Sequence, residues 1–403
     1  MNVILVNKYF FIKGGAEKSF FYTANLLKKH GNKISYFSMS HPMNFPSDFA
    51  KYFVSNIDFE RHTIKNILKS SGRVLYSFEA KSKIEGLLEK EKPEIAHLNN
   101  IYHQISPSII HSLKKRNIPI VMSLRDYKIV CASYSMIKSG KICEACRGGK
   151  YYFCFIKGCV KDSRAKSLLN TIEMYLHHSI MHIYNLVDVF ISPSMFLKKK
   201  VEEMGFKGRI EYLPNFVEVD DYKPSYESSE NSICYVGRLS KEKGIKTLMD
   251  AVRGVDVELK IIGGGPLKLE LELKKENDKA DNIQFMGYMS GEKLKDEVRK
   301  SIAVVVPSEC YENNPRSIIE AFSLGKVCIG ARIGGIPELI KDKKTGITFE
   351  TGNVLELRKA IQGLITDSAK IVNMGKNARK FVESELNADM HYEKLINIYK
   401  SVM

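Results

Sequence analysis

The 403-residue sequence lacks the long hydrophobic runs of an integral membrane protein. No stretch of about 20 uncharged apolar residues occurs, so we expect no membrane-spanning helix. The opening residues, MNVILVNKYF, lack a charged leader followed by a long apolar region, and they are typical of a buried strand rather than a signal peptide. Tandem repeats and low-complexity tracts are also missing. We therefore expect a cytoplasmic globular protein, and its length predicts two domains.

Acidic residues are scarce in the first half of the chain. Residues 1–217 contain 33 Lys and Arg but 17 Asp and Glu, whereas residues 218–403 contain 29 of each. The whole net charge of +16 therefore lies in the first half. Such asymmetry indicates an anionic partner, which could be a membrane surface, a phosphorylated acceptor or a nucleic acid, although a solubilising surface would have the same charge.

Five of the eight cysteines are concentrated between residues 131 and 159. The spacing Cys143-x2-Cys146-x7-Cys154-x4-Cys159 suits four thiolate ligands of a structural zinc ion. Disulfides are not expected in a reducing compartment. The alternatives are an iron–sulfur cluster and reduced cysteines that pack as small hydrophobic side chains.

Short apolar runs alternate with amphipathic segments along the whole chain, which predicts an α/β fold with two doubly wound parallel sheets. Helical patterns between the runs include Glu17–Lys29, Lys246–Val252 and Val354–Ile365. The predicted strands are Val3–Val6, Ile34–Met39, Ile95–Leu98, Ile118–Leu124, Val189–Ser192, Ile210–Leu213, Ile233–Val236, Leu259–Ile262, Ile283–Met286, Ala303–Val306, Val327–Ile329 and Ile347–Phe349.

A polar segment, Phe216–Asn231, separates the two halves and is typical of a linker. The first predicted domain covers residues 1–217, with a cysteine-rich insertion at residues 131–159. The second covers residues 218–385. A terminal helix is expected over residues 386–403.

The most informative motif, PSECYENNPRSIIE, follows the predicted strand Ala303–Val306. Asn314 suits a helix N-cap and Pro315 the first helical position. Glu312 precedes this helix and Glu320 lies in its second turn, where both carboxylates could bind sugar hydroxyls beside a diphosphate at the carboxyl end of the sheet. Alone, the two glutamates could equally be solvated surface residues.

Glycines and cations follow neighbouring predicted strands. Gly237 permits close backbone approach to a ligand, and Arg238 and Lys243 could neutralise a diphosphate without a metal. Gly263–Pro266 could line the same site, and Gly14–Gly15 follow the first strand at the start of a helix. A tight turn is the simpler explanation for any one glycine run.

Taken together, these motifs resemble those of glycosyltransferase family 4 over nearly the whole chain. The resemblance implies a GT-B fold, in which two Rossmann-like domains face each other across a cleft, and transfer from a nucleotide sugar with retention of anomeric configuration. It also implies that Arg238 and Lys243 bind the donor phosphates, Glu312 the donor sugar and Glu320 the ribose, and that the terminal helix crosses back to the first domain.

The sequence departs from the family pattern at several positions. Asn313 and Asn314 stand where Phe-Gly is frequent, in the loop that contacts the donor sugar. Arg125 replaces the usual His before Asp126, and His97-Leu98-Asn99 replaces a His-x-His. The resemblance implies an acceptor-side group of four residues, namely His97, His103, Arg125 and Asp126.

We therefore expect a hexosyltransferase of cell-surface polysaccharide synthesis that needs no catalytic cofactor. A UDP-sugar is the favoured donor and a GDP-sugar the alternative, with a lipid-linked or other saccharide acceptor. The basic first domain is expected to lie on the anionic inner membrane face through residues 64–69, Arg73–Tyr76 and Phe196–Lys200. A sugar-nucleotide epimerase of the same fold is the second interpretation. A nucleic-acid-binding protein is disfavoured, since no such module occurs.

Overall fold

The computed structural model describes residues 1–57 and 71–403, which form two compact units. Unit 1 comprises Met1–Lys138, Cys143–Leu213 and Tyr392–Met403, and unit 2 comprises Ser139–Ile142 and Pro214–His391. The last twelve residues of the chain thus belong to the same unit as its beginning.

Unit 1 contains a six-stranded parallel sheet. Its strands are β1 Asn2–Val6, β2 Lys33–Phe37, β3 Ile95–Asn99, β4 Ile120–Ser123, β7 Val189–Ser192 and β8 Ile210–Tyr212. They lie in the order β2-β1-β3-β4-β7-β8. Most are continuous runs rich in Val, Ile and Leu that are buried on both faces, as parallel sheets require.

Unit 2 repeats this design. Its strands are β9 Ser232–Val236, β10 Glu258–Ile262, β11 Ile283–Gly287, β12 Ala303–Val306, β13 Val327–Ala331 and β14 Gly346–Phe349. They lie in the order β11-β10-β9-β12-β13-β14, again with every neighbouring pair parallel. All twelve predicted strands are therefore confirmed, and so is the prediction of two doubly wound α/β sheets.

Helices connect successive strands and cover the sheets. In the described part of residues 1–213 they include α1 Gly15–Lys29, α2 Phe78–Glu91, α3 Tyr102–Ile105, α4 Ile109–Lys115, α5 Tyr152–Lys157, α6 Arg164–Tyr175 and α7 Met195–Glu203. The later helices are α8 Ile245–Val252, α9 Lys268–Asp278, α10 Gly291–Lys300, α11 Arg316–Ser323, α12 Ile336–Leu339, α13 Val354–Ile365, α14 Ser368–Glu385 and α15 Ala388–Lys400. Within the described residues, none of these helices combines the length and apolarity needed to cross a membrane.

The sequence did not predict a short hairpin inside the cysteine-rich segment, which consists of β5 Ile137–Lys138 and β6 Lys141–Ile142. Two residues per strand give no usable hydrophobic period. The turn between them carries positive φ values at Ser139 and Gly140.

The start of helix α11 also differs from its prediction. The helix begins at Arg316, and Pro315 is the flanking residue, without a side-chain cap. The Oδ1 of Asn314 instead accepts a hydrogen bond from the backbone N–H of Asn215 at 3.0 Å, and the Asn215 amide donates to the Asn314 carbonyl at 2.9 Å. The predicted N-cap is therefore wrong, because Asn314 joins this loop to residue 215.

Each sheet has one point at which the chain reverses its direction of strand addition. In unit 1 this point lies between β1 and β3, and in unit 2 it lies between β9 and β12. Loops at the carboxyl ends of such strand pairs diverge and leave a crevice, which is where open α/β sheets bind ligands. The topology thus marks one candidate ligand-binding edge in each unit.

Candidate functional site

The candidate donor site lies at the reversal point of the unit 2 sheet. The loop after β9 carries Gly237, Arg238 and Lys243, and the loop after β12 carries Glu312. Lys243 Nζ lies 2.5 Å from Glu312 Oε1. The structure therefore brings together two of the three residues predicted to be catalytic, although they are far apart in sequence.

Glu312 is held as a carboxylate. Burial by itself raises its pKa, but the Lys243 ammonium and the Ser308 hydroxyl outweigh burial and lower the pKa below its usual value. Ser308 donates to the same Oε1 at 2.6 Å. Burial also lowers the pKa of Lys243, yet Glu312 outweighs it, so this pKa lies above its ordinary range. Both groups are therefore charged at neutral pH.

Tight backbone contacts hold the two loops together. Gly244 has φ +65°, and a Cβ there would collide with the Pro307 carbonyl oxygen, so only glycine permits this approach. The Glu309 N–H donates to the Glu242 carbonyl at 2.8 Å. Glu309 also accepts a hydrogen bond from the Thr247 hydroxyl at 2.6 Å. The site loops are consequently preorganised by their own hydrogen bonds.

Gly263 and Gly265 follow β10, the neighbour of β9. Gly263 has φ +144°, and a Cβ there would collide with the Gly237 carbonyl, so the two glycine turns pack backbone to backbone. Gly265 makes a similarly close approach to the Leu239 backbone. These contacts explain why glycine is required at both positions. The predicted contact of the two glycines with a donor stays a prediction.

Arg238 is exposed at this edge. Its carbonyl accepts a hydrogen bond from the Tyr235 hydroxyl at 2.8 Å, which fixes the backbone of the residue. Among the residues described, no ion pair or side-chain hydrogen bond engages the Arg238 guanidinium. A free cation at the carboxyl end of a parallel sheet suits an anionic ligand.

Glu320 lies in α11, where it accepts a hydrogen bond from Arg316 Nε at 3.2 Å. Arg316 also donates to the Phe216 carbonyl at 3.2 Å. Asn313 stands beside Glu312 in the β12 loop. The predicted donor-binding roles of Glu320, Asn313 and Asn314 remain predictions, because side-chain contacts alone do not reveal a ligand.

The sequence interpretation missed several contributors to this edge. Ser308 is one, although its position directly after β12 was a usable signal. Gly334 and Gly335 follow β13, the next strand of the sheet, and the Gly335 N–H donates to the Glu312 carbonyl at 2.7 Å. A glycine pair after a strand that neighbours the site strand would have indicated this contact.

The remaining predicted donor residues, Gly14 and Gly15, lie at the other reversal point. They are exposed after β1, and the Gly14 carbonyl accepts the Lys18 N–H at 3.1 Å at the start of α1. Both belong to unit 1. Nearby Glu17 is buried, and this burial raises its pKa while Lys8 and Lys13 oppose the shift.

The four predicted acceptor-side residues separate into two groups. His97 is buried in β3, where its Nδ1 lies 2.7 Å from the Tyr399 hydroxyl and its Nε2 lies 2.7 Å from the Ser123 hydroxyl. With both ring nitrogens engaged in the core, His97 ties α15 to the sheet. This placement favours a structural role over the predicted contact with an acceptor.

His103, Arg125 and Asp126 lie beyond the carboxyl ends of the adjacent strands β3 and β4. Arg125 Nε donates to Asn99 Oδ1 at 3.3 Å. His103 Nε2 lies 3.1 Å from Glu173 Oε2. Burial raises the pKa of Asp126, although Lys8, Lys128 and His103 oppose the shift. These three residues thus share one edge of unit 1.

Several thiols of the cysteine-rich segment lie near one another. Burial raises the pKa of Cys146 to about 12, and a hydrogen bond from Cys159 lowers that of Cys154. Cys143 Sγ lies 3.6 Å from Lys157 Nζ. Across residues 1–57 and 71–403, no three His, Cys, Asp or Glu side chains are arranged to hold a metal ion. The zinc site stays a prediction.

The structure contradicts one of the three predicted membrane-facing stretches, and the other two stay predictions. Residues 64–69 lie outside the described residues. Arg73 and Val74 are buried, and Arg73 pairs with Glu79, so Arg73–Tyr76 is not the exposed basic stretch that was predicted. In α7, Lys200 bridges to Glu144 at 2.9 Å and Leu197 is buried, as in an ordinary amphipathic helix.

Solved structures of the same architecture define the class of protein. The sucrose-phosphate synthase of Thermosynechococcus elongatus matches with a TM-score of 0.74 and 17% identity, over 99% of this chain and 98% of that one. The Anabaena protein HepE, solved with UDP and glucose, matches with a TM-score of 0.70 and 14% identity over 100% of both chains. The fold is therefore that of the GT-B glycosyltransferases.

Sequence comparison gives the family. Residues 13–221 match "Glycosyltransferase Family 4", and residues 218–381 match "Glycosyl transferases group 1". The chain belongs to glycosyltransferase family 4 and is a glycosyltransferase, as its motifs indicated.

Two curated relatives illustrate the range of similarity. An uncharacterized 42.6 kDa protein in the cps region of Klebsiella pneumoniae is 26% identical over 355 residues, which cover 84% of this chain and 87% of the relative. The amylovoran biosynthesis glycosyltransferase AmsK of Erwinia amylovora is 28% identical over 177 residues, covering 41% and 44%. The chain spans about half the length of most of the curated relatives it matches.

Proposed function

We propose that this glycosyltransferase moves a hexose-type sugar from a nucleotide diphosphate sugar to a lipid-linked or other saccharide acceptor, with retention of anomeric configuration, in cell-surface polysaccharide synthesis. The observation that carries the proposal is the Lys243–Glu312 pair beside exposed Arg238 at the reversal point of the unit 2 sheet. AmsK, a relative, acts in the biosynthesis of amylovoran.

The positive charges of Lys243 and Arg238 explain how the donor site would stabilise the leaving diphosphate. Breaking the bond between sugar and phosphate places negative charge on the leaving diphosphate, and fixed cations stabilise that charge in the transition state. Lys243 has three N–H donors, of which one is directed at Glu312. The others, together with Arg238, are available to phosphate oxygens. Glu312 would accept from sugar hydroxyls and Glu320 from the ribose.

No protein carboxylate is assigned as a covalent nucleophile. In the proposed front-face route, the leaving phosphate accepts the proton of the acceptor hydroxyl. We favour UDP as the nucleotide, because HepE was solved with UDP and glucose. GDP is the alternative.

The donor assignment is tested by a thermal-shift screen of UDP, GDP and their sugars. A ligand at 100 times its Kd stabilises the folded protein by about 2.7 kcal/mol, which is readily measured. We expect Glu320→Ala to weaken the response by about 1.5–3 kcal/mol, the value of a charge-assisted hydrogen bond, without unfolding the protein. A wild-type response to none of these compounds would reject the donor class.

The same screen is followed by product analysis, which separates transfer from epimerisation. Transfer or hydrolysis releases a nucleoside diphosphate, whereas an epimerase retains the nucleotide on the sugar. Release of UDP or GDP supports the proposal, and a changed sugar still attached to its nucleotide would favour an epimerase.

The proposed location is the anionic inner face of the cell membrane, with unit 1 as the docking unit. Its support is the concentration of the whole net charge in residues 1–217. Flotation with anionic vesicles should show binding that falls steeply with salt, because surface charges are screened. Equal binding to neutral vesicles would argue for another mode of attachment.

A further inference from the structure

A buried group of polar side chains adjoins the carboxyl edge of β3 and β4 in unit 1. At its centre, Glu173 of α6 is 0% exposed and Lys128 is 2% exposed, and Lys128 Nζ lies 2.5 Å from Glu173 Oε2. The same oxygen lies 3.1 Å from His103 Nε2. Three residues from separate segments therefore form one chain of contacts, Lys128 to Glu173 to His103.

The ionisation of Glu173 follows from its partners. Burial by itself raises its pKa, but Lys128 and His103 outweigh burial and lower the pKa to about 2. Glu173 is therefore a carboxylate at neutral pH. A carboxylate can only accept hydrogen bonds, so Nε2 of His103 must carry the hydrogen in this contact.

When the imidazole of His103 is neutral, this hydrogen bond fixes the chemistry of the other ring nitrogen. In a neutral imidazole with hydrogen on Nε2, Nδ1 has a lone pair and is a hydrogen-bond acceptor. The His103 side chain is 21% exposed, and its Nδ1 has no hydrogen-bond partner within residues 1–57 and 71–403. The lone pair is thus available to a ligand at the sheet edge.

The surroundings are polar and largely buried. Tyr102 has a buried hydroxyl with no partner among the described residues, and burial keeps its pKa well above the ordinary value. Asp126 and His177 also act electrostatically on this group, and Lys8 acts on Asp126. The helix that carries Glu173 continues into a π-helical segment, Leu176–Ile180, a conformation that is frequent at functional sites.

We propose that Glu173, supported by Lys128, fixes His103 in the Nε2–H form, so that its Nδ1 accepts a hydrogen bond from a hydroxyl of the saccharide acceptor. His103 then contacts substrate, whereas Glu173 and Lys128 are positioning residues. The identity of the ligand as a sugar acceptor rests on the function proposed above. Unit 2 supplies the donor site, so this contact should affect acceptor use and leave nucleotide binding unchanged.

Lys128 completes the arrangement by neutralising a carboxylate that has no access to water. Its Nζ also donates to the Ala132 carbonyl at 3.2 Å, which anchors the ammonium. Removing Lys128 alone would leave a buried charge without a partner, and such variants often fail to fold. The double variant Lys128→Met/Glu173→Gln removes both charges together and is therefore the informative change.

The first test needs no substrate. Two-dimensional NMR of protein with ¹⁵N-labelled histidine distinguishes the two imidazole tautomers, and the His103 signals are assigned by their loss in His103→Asn. We expect the Nε2–H form in the wild type and a mixture of tautomers in the double variant. A wild-type His103 with hydrogen on Nδ1 alone, or on both ring nitrogens at neutral pH, would overturn the proposal.

The second test measures acceptor use with a panel of octyl glycosides, with the nucleotide sugar that the wild type accepts. We expect His103→Ala and the double variant Lys128→Met/Glu173→Gln to raise the acceptor KM at least about tenfold, the loss of roughly one hydrogen bond. His103→Asn should restore most of the affinity, because its Oδ1 occupies the position of Nδ1. His111→Gln, a histidine in α4, is the matched control and should leave KM unchanged.

Together, the two tests distinguish a failure of the role assigned to His103 from a failure of the proposed function. An unchanged acceptor KM in His103→Ala, with UDP binding intact, would reject the role of His103 alone. If the wild type binds neither UDP nor GDP and releases no nucleotide, the proposed function fails, and the NMR result still decides whether Glu173 sets the tautomer.

Discussion

The two units each contain a lysine–glutamate pair 2.5 Å apart, and the pairs differ in their access to solvent. Lys128 and Glu173 in unit 1 are 2% and 0% exposed, whereas Lys243 and Glu312 in unit 2 are 28% and 14% exposed. A fully buried pair holds its neighbours in place but cannot meet a ligand. A partly exposed pair at a sheet edge can exchange contacts with one. We therefore propose that the buried pair positions its neighbours and that the partly exposed pair binds the ligand.

The largest expected effect comes from breaking the buried pair. Lys128→Met should lower the free energy of unfolding by about 3–5 kcal/mol, because Glu173 is left as an unpaired buried charge. Lys243→Met should cost about 1 kcal/mol, nearer the value of an exposed pair. Urea denaturation of both variants measures the difference. Equal losses would show that the two pairs do not differ as described.

The effect on kcat should be larger for the partly exposed pair of unit 2 than for the buried pair of unit 1, the opposite of the order expected for stability. In the proposed mechanism, Lys243→Met removes a fixed cation from the leaving diphosphate, and we expect it to lower kcat by about 10²–10³-fold, the usual cost of losing one such stabilising group. Lys246→Met is a control in the adjoining helix, since Lys246 pairs with Glu270 away from Glu312. Initial rates of nucleotide release provide the measurement, and a Lys243→Met enzyme with wild-type kcat would contradict the assigned role.

Acid should weaken the buried pair only at low pH. The folded pKa of Glu173 is about 2, below the ordinary value of about 4.3 for an unfolded chain, so the unfolded state binds the proton first. Its contribution to stability is complete above about pH 4.3 and disappears as the pH falls toward 2. The double variant Lys128→Met/Glu173→Gln should therefore show a shallower loss of stability over this interval in pH-dependent denaturation, and an unchanged slope would place the acid sensitivity elsewhere.

The strands, and the meeting of Lys243 and Glu312 at one sheet edge, were predictable from sequence for a local reason. Continuous apolar runs such as Ala303–Val306, the strand before the two-glutamate motif, indicate buried parallel strands, and the residues that follow such strands must meet at one edge of the sheet. That reasoning placed Lys243 and Glu312 together without any knowledge of their distance.

Long-range pairing was not predictable in the same way. Glu173 lies inside a helix with no motif around it, and only folding brings it to His103. Arg73 carries a charge that suggested a surface, but Glu79 and Ser55 bind it inside unit 1. Asparagine is a frequent N-cap residue, yet the Oδ1 of Asn314 accepts a hydrogen bond from the backbone N–H of Asn215. In each case, a contact that the local pattern does not contain overrides the local preference.

The measurement that tests the central claim most directly is calorimetric titration of UDP into the wild type, Arg238→Ala and the matched control Arg253→Ala. Arg253 is an exposed cation of unit 2 whose side chain lies 3.9 Å from Asp278. We expect the wild type and Arg253→Ala to bind UDP equally, and Arg238→Ala to bind it about 10–150-fold more weakly, the loss of a charge-assisted hydrogen bond worth about 1.5–3 kcal/mol. Equal affinity in all three proteins would contradict the central claim.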